Sequence, residues 1–373
     1  MSKLHFIELK GNSRQRGQQH GRLLKSPIER AVEFYRWFFR HHLGLEPEAL
    51  RQRAAAFIEP TQRVSPLLFD EYEGIAEGSG QTLEDILVLS GRYEITFETV
   101  ALGDCSNLFV GPERSQSGNT LLGQSWDWRP EVMDFRAVFV ARCDDVPDHI
   151  MVTECGQPGK YGLNEHGLGL VAAGLSCREK ASIGDQLFVV LGREILAQET
   201  LAQACEVMTE SSPLATVNVL VADDQGQAVN FESAPGRIVR ADLKPEQVYW
   251  HTNHCLHEDE PCTFENSRIR GRRWVQLTEQ SSSVTPEAVQ TWLADRSDGG
   301  NSICQHADPS QADAASWLQT LCSIVMDLGL QTLWVSDGPS SQSSYQEVGF
   351  KTHGLPRLRD PCRVSSRQFL LRS

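Results

Sequence analysis

Through most of the first hundred residues, apolar positions recur at three- and four-residue spacing. LHFIEL (4–9) alternates instead, and predicts a short edge strand. A long helix is expected over 18–40, with Pro27 as a break or restart point. LEPEALRQRAAAFIEP predicts a second helix, ended by Pro60. SPLLFDEYEGIAEGSG predicts a third, stopped by Gly78 and Gly80. TLEDILVLSGRYEI predicts a fourth, with Thr82 as N-cap. At Cys105 the pattern changes. CSNLFVG and TLLGQSWDW are strand-like and flank a turn-rich stretch, so a hairpin is expected. FRAVFVARC, HIMVTEC, GLGLVAAGLS, TVNVLVAD and AVNFES continue the strands. FVVLGREILAQ, TLAQACEVMTE, SRIRGRRWVQLTEQ and TPEAVQTWLADR are helical, and CSIVMDL with QTLWVSD predicts a last hairpin. Runs of strands and blocks of helices argue for a layered α+β fold rather than regular βαβ units.

The chain has 373 residues, enough for one large or two medium domains. Its formal net charge of −14 would repel nucleic acid and disfavours anionic membrane surfaces, so neither is expected as a partner. The start MSKLHFIELKGNSRQRG has no apolar signal region, and no apolar run reaches membrane-spanning length, so a cytoplasmic location is expected. Ten cysteines without CxxC pairs or regular spacing suggest free thiols rather than a disulfide framework.

Cys105 differs from the others by its place, at the first strand after the helical leader. A cysteine nucleophile needs a base, and no histidine is tied to it by local sequence. Cleavage of the Asp104–Cys105 bond would supply one. The freed α-amine has a reference pKa of roughly 7.7–8.0 and would sit on the same residue as the thiol.

GDCSN followed by GNTLLGQSWDW resembles the isopenicillin-N acyltransferase family of N-terminal nucleophile hydrolases. TECGQPGKYGLNEHGLGLVAAGL, HTNHCL and SIC continue the likeness in the family's order, as do RGQQHG and EGIAEGSG in the leader. Choloylglycine hydrolases and penicillin V acylases are more distant relatives. The resemblance implies a four-layer αββα sandwich over 105–373, with a mostly helical leader, 1–104, packed on it. It further implies self-cleavage before Cys105, the two fragments staying associated, and turnover of a small N-acyl amide through a thioester. Cys105 would be the nucleophile, Asp127 would orient the new amine, and Asn253 would donate to the oxyanion. No cofactor is implied. Water as acceptor makes a hydrolase; an amine acceptor, with acyl-coenzyme A as a candidate donor, makes an acyltransferase.

Two positions depart from the family pattern. Asp104 stands where relatives usually have glycine, before the scissile bond. Gln305 stands after SIC, where arginine is common and would steady the aspartate. These departures keep a rival in play, an uncut member that only binds a ligand. A metal site is a second rival, since His251, His254, Cys255, His257 and Cys262 fall close together, though their spacing fits no standard zinc signature.

Overall fold

The computed structural model describes residues 4–97, 105–176, 186–211, 216–257, 265–279, 281–308, 310 and 318–350. After β1 (His5–Gly11) come α1 (Ser13–Leu23) and α2 (Lys25–Leu43). Asn12 and Gln15 form a reciprocal capping box at the start of α1. The break in the expected 18–40 helix falls at Leu24. Pro27 lies in the first turn of α2, where its missing N–H costs nothing. The helix expected over 45–60 is two, α3 (Pro47–Ala55) and α4 (Ile58–Val64). Pro60 sits in the first turn of α4 rather than ending a helix, for the same reason. Next is α5 (Pro66–Ser79), closed by Gly80 in the left-handed region at φ 77°. The fourth expected helix divides at Gly91 into α6 (Leu83–Ser90), capped by Thr82, and α7 (Arg92–Phe97).

The leader motifs RGQQHG and EGIAEGSG acquire a physical reason in the packing of α1 on α5. An added Cβ at Gly17 would run into the Glu71 carbonyl oxygen, and one at Gly74 into that of Arg14. Gly21 and Gly78 repeat the arrangement one turn on. Only glycine lets the two backbones come this close. Gly17→Ala should therefore overpack the contact and lower the unfolding free energy by about 1–3 kcal/mol. A denaturation midpoint equal to wild type would show that the helices can part without penalty.

The strand region begins with β2 (Ser106–Val110), β3 (Leu121–Trp128), β4 (Arg136–Cys143), β5 (His149–Glu154), β6 (Tyr161–Asn164) and β7 (Gly169–Gly174). α8 (Phe188–Leu196) and α9 (Leu201–Glu210) follow, then β8 (Val217–Ala222), β9 (Ala228–Ala234), β10 (Arg237–Leu243) and β11 (Val248–His251). α10 (Glu265–Glu279) and α11 (Pro286–Leu293) precede β12 (Gln319–Asp327), β13 (Thr332–Ser336) and β14 (Tyr345–Gly349). β12 and β13 make the expected hairpin, and β14 adds a further strand to it.

Two sheets result. One has eight strands in the order β1-β4-β5-β6-β7-β8-β9-β10, the other six in the order β11-β2-β3-β12-β13-β14. β1 is an edge strand, as its alternation predicts, and pairs parallel with β4. The sheets face each other through β2 and β3 on one side and β7 and β8 on the other. Helices α1, α8 and α9 contact the eight-stranded sheet, and α10 and α11 the six-stranded one. The fold is the α+β, αββα sandwich expected.

Alternation along β2 and β3 sets which residues face which layer. Phe109, Leu122, Trp126 and Trp128 join the main core with Cys105. Leu108, Val110 and Leu121 pack instead with Trp274 and Trp292 of α10 and α11. Trp126 and Trp128 thus share one face. Two buried amides tie the sheets together: Gln124 Nε2 donates to the Ala172 carbonyl at 2.8 Å, and Asn107 Nδ2 to Asn218 Oδ1 at 2.8 Å.

Candidate active site

Cys105 immediately precedes β2 at the end of the β2–β3 ladder, where Ser106 pairs with Ser125. The thiol is buried and lies 3.9 Å from the backbone carbonyl oxygen of Asp127. Burial pushes it up to about 11, with the Asp127 charge adding to the rise. A thiol at that value is protonated at neutral pH. The Asp127 side chain lies on the face of β3 that carries Ser125, whose hydroxyl donates to Oδ2 at 3.3 Å. Asp104 lies outside the described residues.

Asn253 follows β11 and is held on four sides. Its backbone N–H donates to Ser267 Oγ at 2.8 Å, and its carbonyl accepts from the Ser176 N–H at 2.9 Å. Its Nδ2 donates to the Gly174 carbonyl at 2.7 Å, and its Oδ1 accepts from Arg270 Nη2 at 2.7 Å. Arg270 is the link between the predicted residues. Its Nη1 donates to the Cys105 carbonyl at 2.8 Å and to Ser106 Oγ at 3.1 Å. One fully buried guanidinium therefore fixes the Cys105 backbone and the orientation of the Asn253 amide.

Gln305 is not part of this group. Its Nε2 donates to the Ser302 carbonyl at 2.6 Å, and its backbone pairs with Thr320, the residue opposite Asp127 on β12. Its side chain closes the local turn instead of reaching the aspartate. Gln305→Ala should cost about 1 kcal/mol of stability and leave kcat unchanged. A large fall in kcat at unchanged stability would return residue 305 to the site.

The histidine-rich stretch is committed elsewhere. His251 lies between Glu232 Oε1 at 2.9 Å and the Thr252 carbonyl at 2.7 Å. His254 Nδ1 faces Ser267 Oγ at 2.8 Å and Thr252 Oγ1 at 3.0 Å, and burial holds its ring down at about 4. His257 meets the Tyr249 hydroxyl. Cys262 lies outside the described residues, which contain no cluster of three or more metal-ligating side chains.

A pocket opens at Cys105. Its walls include Tyr93, Trp126, Trp128, Tyr161, Phe188 and Val217, and Gly174, the partner of Asn253, also lines it. Two cations stand among these apolar groups. Arg92 is ion-paired with buried Glu154 and stacks on the Trp128 ring at 4.7 Å. Lys160 Nζ lies 4.1 Å from the Trp126 ring centroid, and burial holds its amine down at about 7.

Arg270, Arg92 and Lys160 were not singled out from the sequence. Arg270 did carry a signal. SRIRGRRW holds four arginines, and only Arg270 shares the buried stripe of Ser267, Gly271 and Trp274, at helical spacing.

Residues 114–341 match the model of a family described as acyl-coenzyme A:6-aminopenicillanic acid acyl-transferase. The match contains Asp127, Asn253 and Arg270 and begins after Cys105. A relative from Emericella nidulans, the 40 kDa form of acyl-coenzyme A:6-aminopenicillanic-acid-acyltransferase, is 23% identical over 327 residues, 86% of this chain and 89% of the relative. Among solved structures, penicillin V acylase from Agrobacterium tumefaciens aligns with TM-score 0.42 and 14% identity, over 66% of this chain and 86% of that one. The Caenorhabditis elegans ortholog of N-acylethanolamine-hydrolyzing acid amidase aligns with TM-score 0.43 and 11% identity, over 61% and 94%. With the family match spanning more than half of its length, the chain belongs to the acyl-coenzyme A:6-aminopenicillanic acid acyl-transferase family.

Proposed function

We propose that this protein is a self-processing cysteine amidohydrolase that cleaves an N-acyl amide through a thioester on Cys105. The observation that carries the reading is the Arg270 clamp. It joins Cys105, which lines an apolar pocket, to a buried amide donor.

The chemistry follows from the site. In the uncut chain the thiol is held at about 11 and is a poor nucleophile. Once the Asp104–Cys105 bond is broken, the α-amine of Cys105 takes the thiol proton. The thiolate attacks the substrate carbonyl, and negative charge develops on its oxygen. Asn253 Nδ2 has two hydrogens and spends one on Gly174, so the second is free for that oxygen. Because Arg270 holds Oδ1, the amide cannot turn its oxygen toward the negative charge. The α-ammonium then protonates the leaving amine, and water hydrolyses the thioester. The aromatic walls suit an apolar acyl group. Asp127, beside Cys105, is assigned to hold the new amine in place.

The family description and the fungal relative's name favour a second acceptor, an amine in place of water. The intermediate would be the same. A panel of N-acyl amides, followed by intact mass after acid quench, tests both readings. The expected result is an acyl adduct on the large fragment, lost in water or passed to an added amine. Turnover with no adduct on Cys105 under any quench would reject the covalent mechanism.

A further inference from the structure

Self-cleavage poses a problem that the mature mechanism does not. The α-amine does not exist until the bond is cut, so another group must take the thiol proton the first time. The Cys105 pocket holds one side chain suited to this. Lys160 is nine-tenths buried and lines the same pocket as Cys105. Its Nζ lies over the Trp126 and Tyr161 rings at 4.1 and 4.9 Å from their centroids. Trp126 neighbours Ser125, the register partner of Ser106, so Trp126 and Cys105 lie at the same end of the β2–β3 ladder, and both line the pocket. Among the described residues the only carboxylate in ion-pairing reach of Nζ is Glu154, whose Oε1 is 3.9 Å away, beyond hydrogen-bond range. Glu154 is already engaged, by Arg92 at Oε1 and by the Tyr35 hydroxyl at Oε2.

We infer that Lys160 is the proton acceptor for the first cleavage of this chain, directly or through one water, and so the base of self-processing rather than of turnover. The inference rests on the self-processing reading above. In the step, the neutral Lys160 amine takes the Cys105 thiol proton and becomes an ammonium. The thiolate forms a C–S bond to the Asp104 carbonyl carbon. As the tetrahedral intermediate collapses, the C–N bond to Cys105 breaks, and the ammonium returns its proton to the departing nitrogen. The products are a thioester and a free α-amine. Water then hydrolyses the thioester, leaving a carboxylate at Asp104 and a thiol at Cys105. The local electrostatics support the assignment. Desolvation, with Arg92 adding to it, holds the Lys160 amine down at about 7, so a large share is neutral near neutral pH.

Other charged or titratable groups face Lys160. They include Arg92 and Glu94 from α7, Glu154 from β5, Tyr161 from β6, Cys105 before β2 and Cys322 from β12, and Asp127 of β3 lines the same pocket. Burial pushes the Glu94 carboxyl up to about 7, so it titrates in the same window. The test must separate these two groups. Full-length chain is made by brief cell-free synthesis, exchanged into buffers from pH 6 to pH 9, and followed by gel and mass as it converts to fragments 1–104 and 105–373. Wild type should convert faster as pH rises through about 7, with a plateau above it, because only the neutral amine accepts a proton. Lys160→Arg keeps the charge but cannot lose a proton at these pH values. It should slow conversion by about a hundredfold or more and lose the inflexion. Glu94→Gln should keep the inflexion. A wild-type rate that is flat from pH 6 to pH 8 would overturn the role of Lys160 whether or not any variant folds. So would Lys160→Arg converting at the wild-type rate. Wild type that never converts while remaining active would instead remove the self-processing reading itself.

Discussion

Cys105→Ala should give a single uncut chain with no amidase activity, a fall of roughly a millionfold or to the background rate, as for removal of a covalent nucleophile elsewhere. Two losses are expected from one substitution. In the proposed mechanism the thiol attacks both the Asp104 carbonyl and the substrate. The fold should survive. Cys105 is small, and its thiol's hydrogen bond, to the Asp127 carbonyl at 3.9 Å, is weak. The Arg270 contact is to its backbone oxygen and would remain. The melting temperature should therefore stay close to wild type while both functions vanish. A Cys105→Ala chain that is still cut between 104 and 105 would mean that another group, or a protease, makes the cut.

Asn253→Ala should lower kcat by roughly a hundred- to a thousandfold, the usual cost of losing one oxyanion donor. KM should change little, because in the proposed role the charge it meets develops only in the transition state. The residue is buried and also bonds Arg270 and Gly174, so some stability is lost with it. The diagnostic is therefore the split between kcat and KM, measured on protein shown to be folded. Wild-type kcat would remove Asn253 from the mechanism. A large rise in KM alone would make it a binding residue instead.

The layered α+β fold was legible because its central strands are long, apolar and bounded by turn residues. The strands that escaped are of two kinds. β10, β11 and β14 are sheet edges with half-exposed, partly charged sequences such as RIVRADL and YQEVG, which carry little apolar alternation. β6 spans only Tyr161–Asn164 and takes its definition from its neighbours β5 and β7. Helix boundaries went astray at proline. Pro60 reads equally as the end of one helix or the first turn of the next, and the buried face of α4 decides in favour of the second.

The candidate site was legible only in part. Cys105 and Asp127 lie on one hairpin, so local pattern brings them together. Asn253 reaches them through Arg270, which is remote in sequence and hidden among other arginines. The charge expected beside the aspartate was sought at position 305, where Gln305 turns out to bond Ser302. Lys160 and Arg92 look like surface cations in sequence. What makes them unusual is burial against aromatic rings, a property of the assembled sandwich rather than of any local stretch.

The most direct test of the account is the N-terminal sequence of the large chain in purified, catalytically active protein. The account predicts Cys-Ser-Asn-Leu-Phe-Val, with the 1–104 fragment co-purifying. Active protein whose chains are all uncut would contradict it, because Cys105 would then have no α-amine to serve as its base.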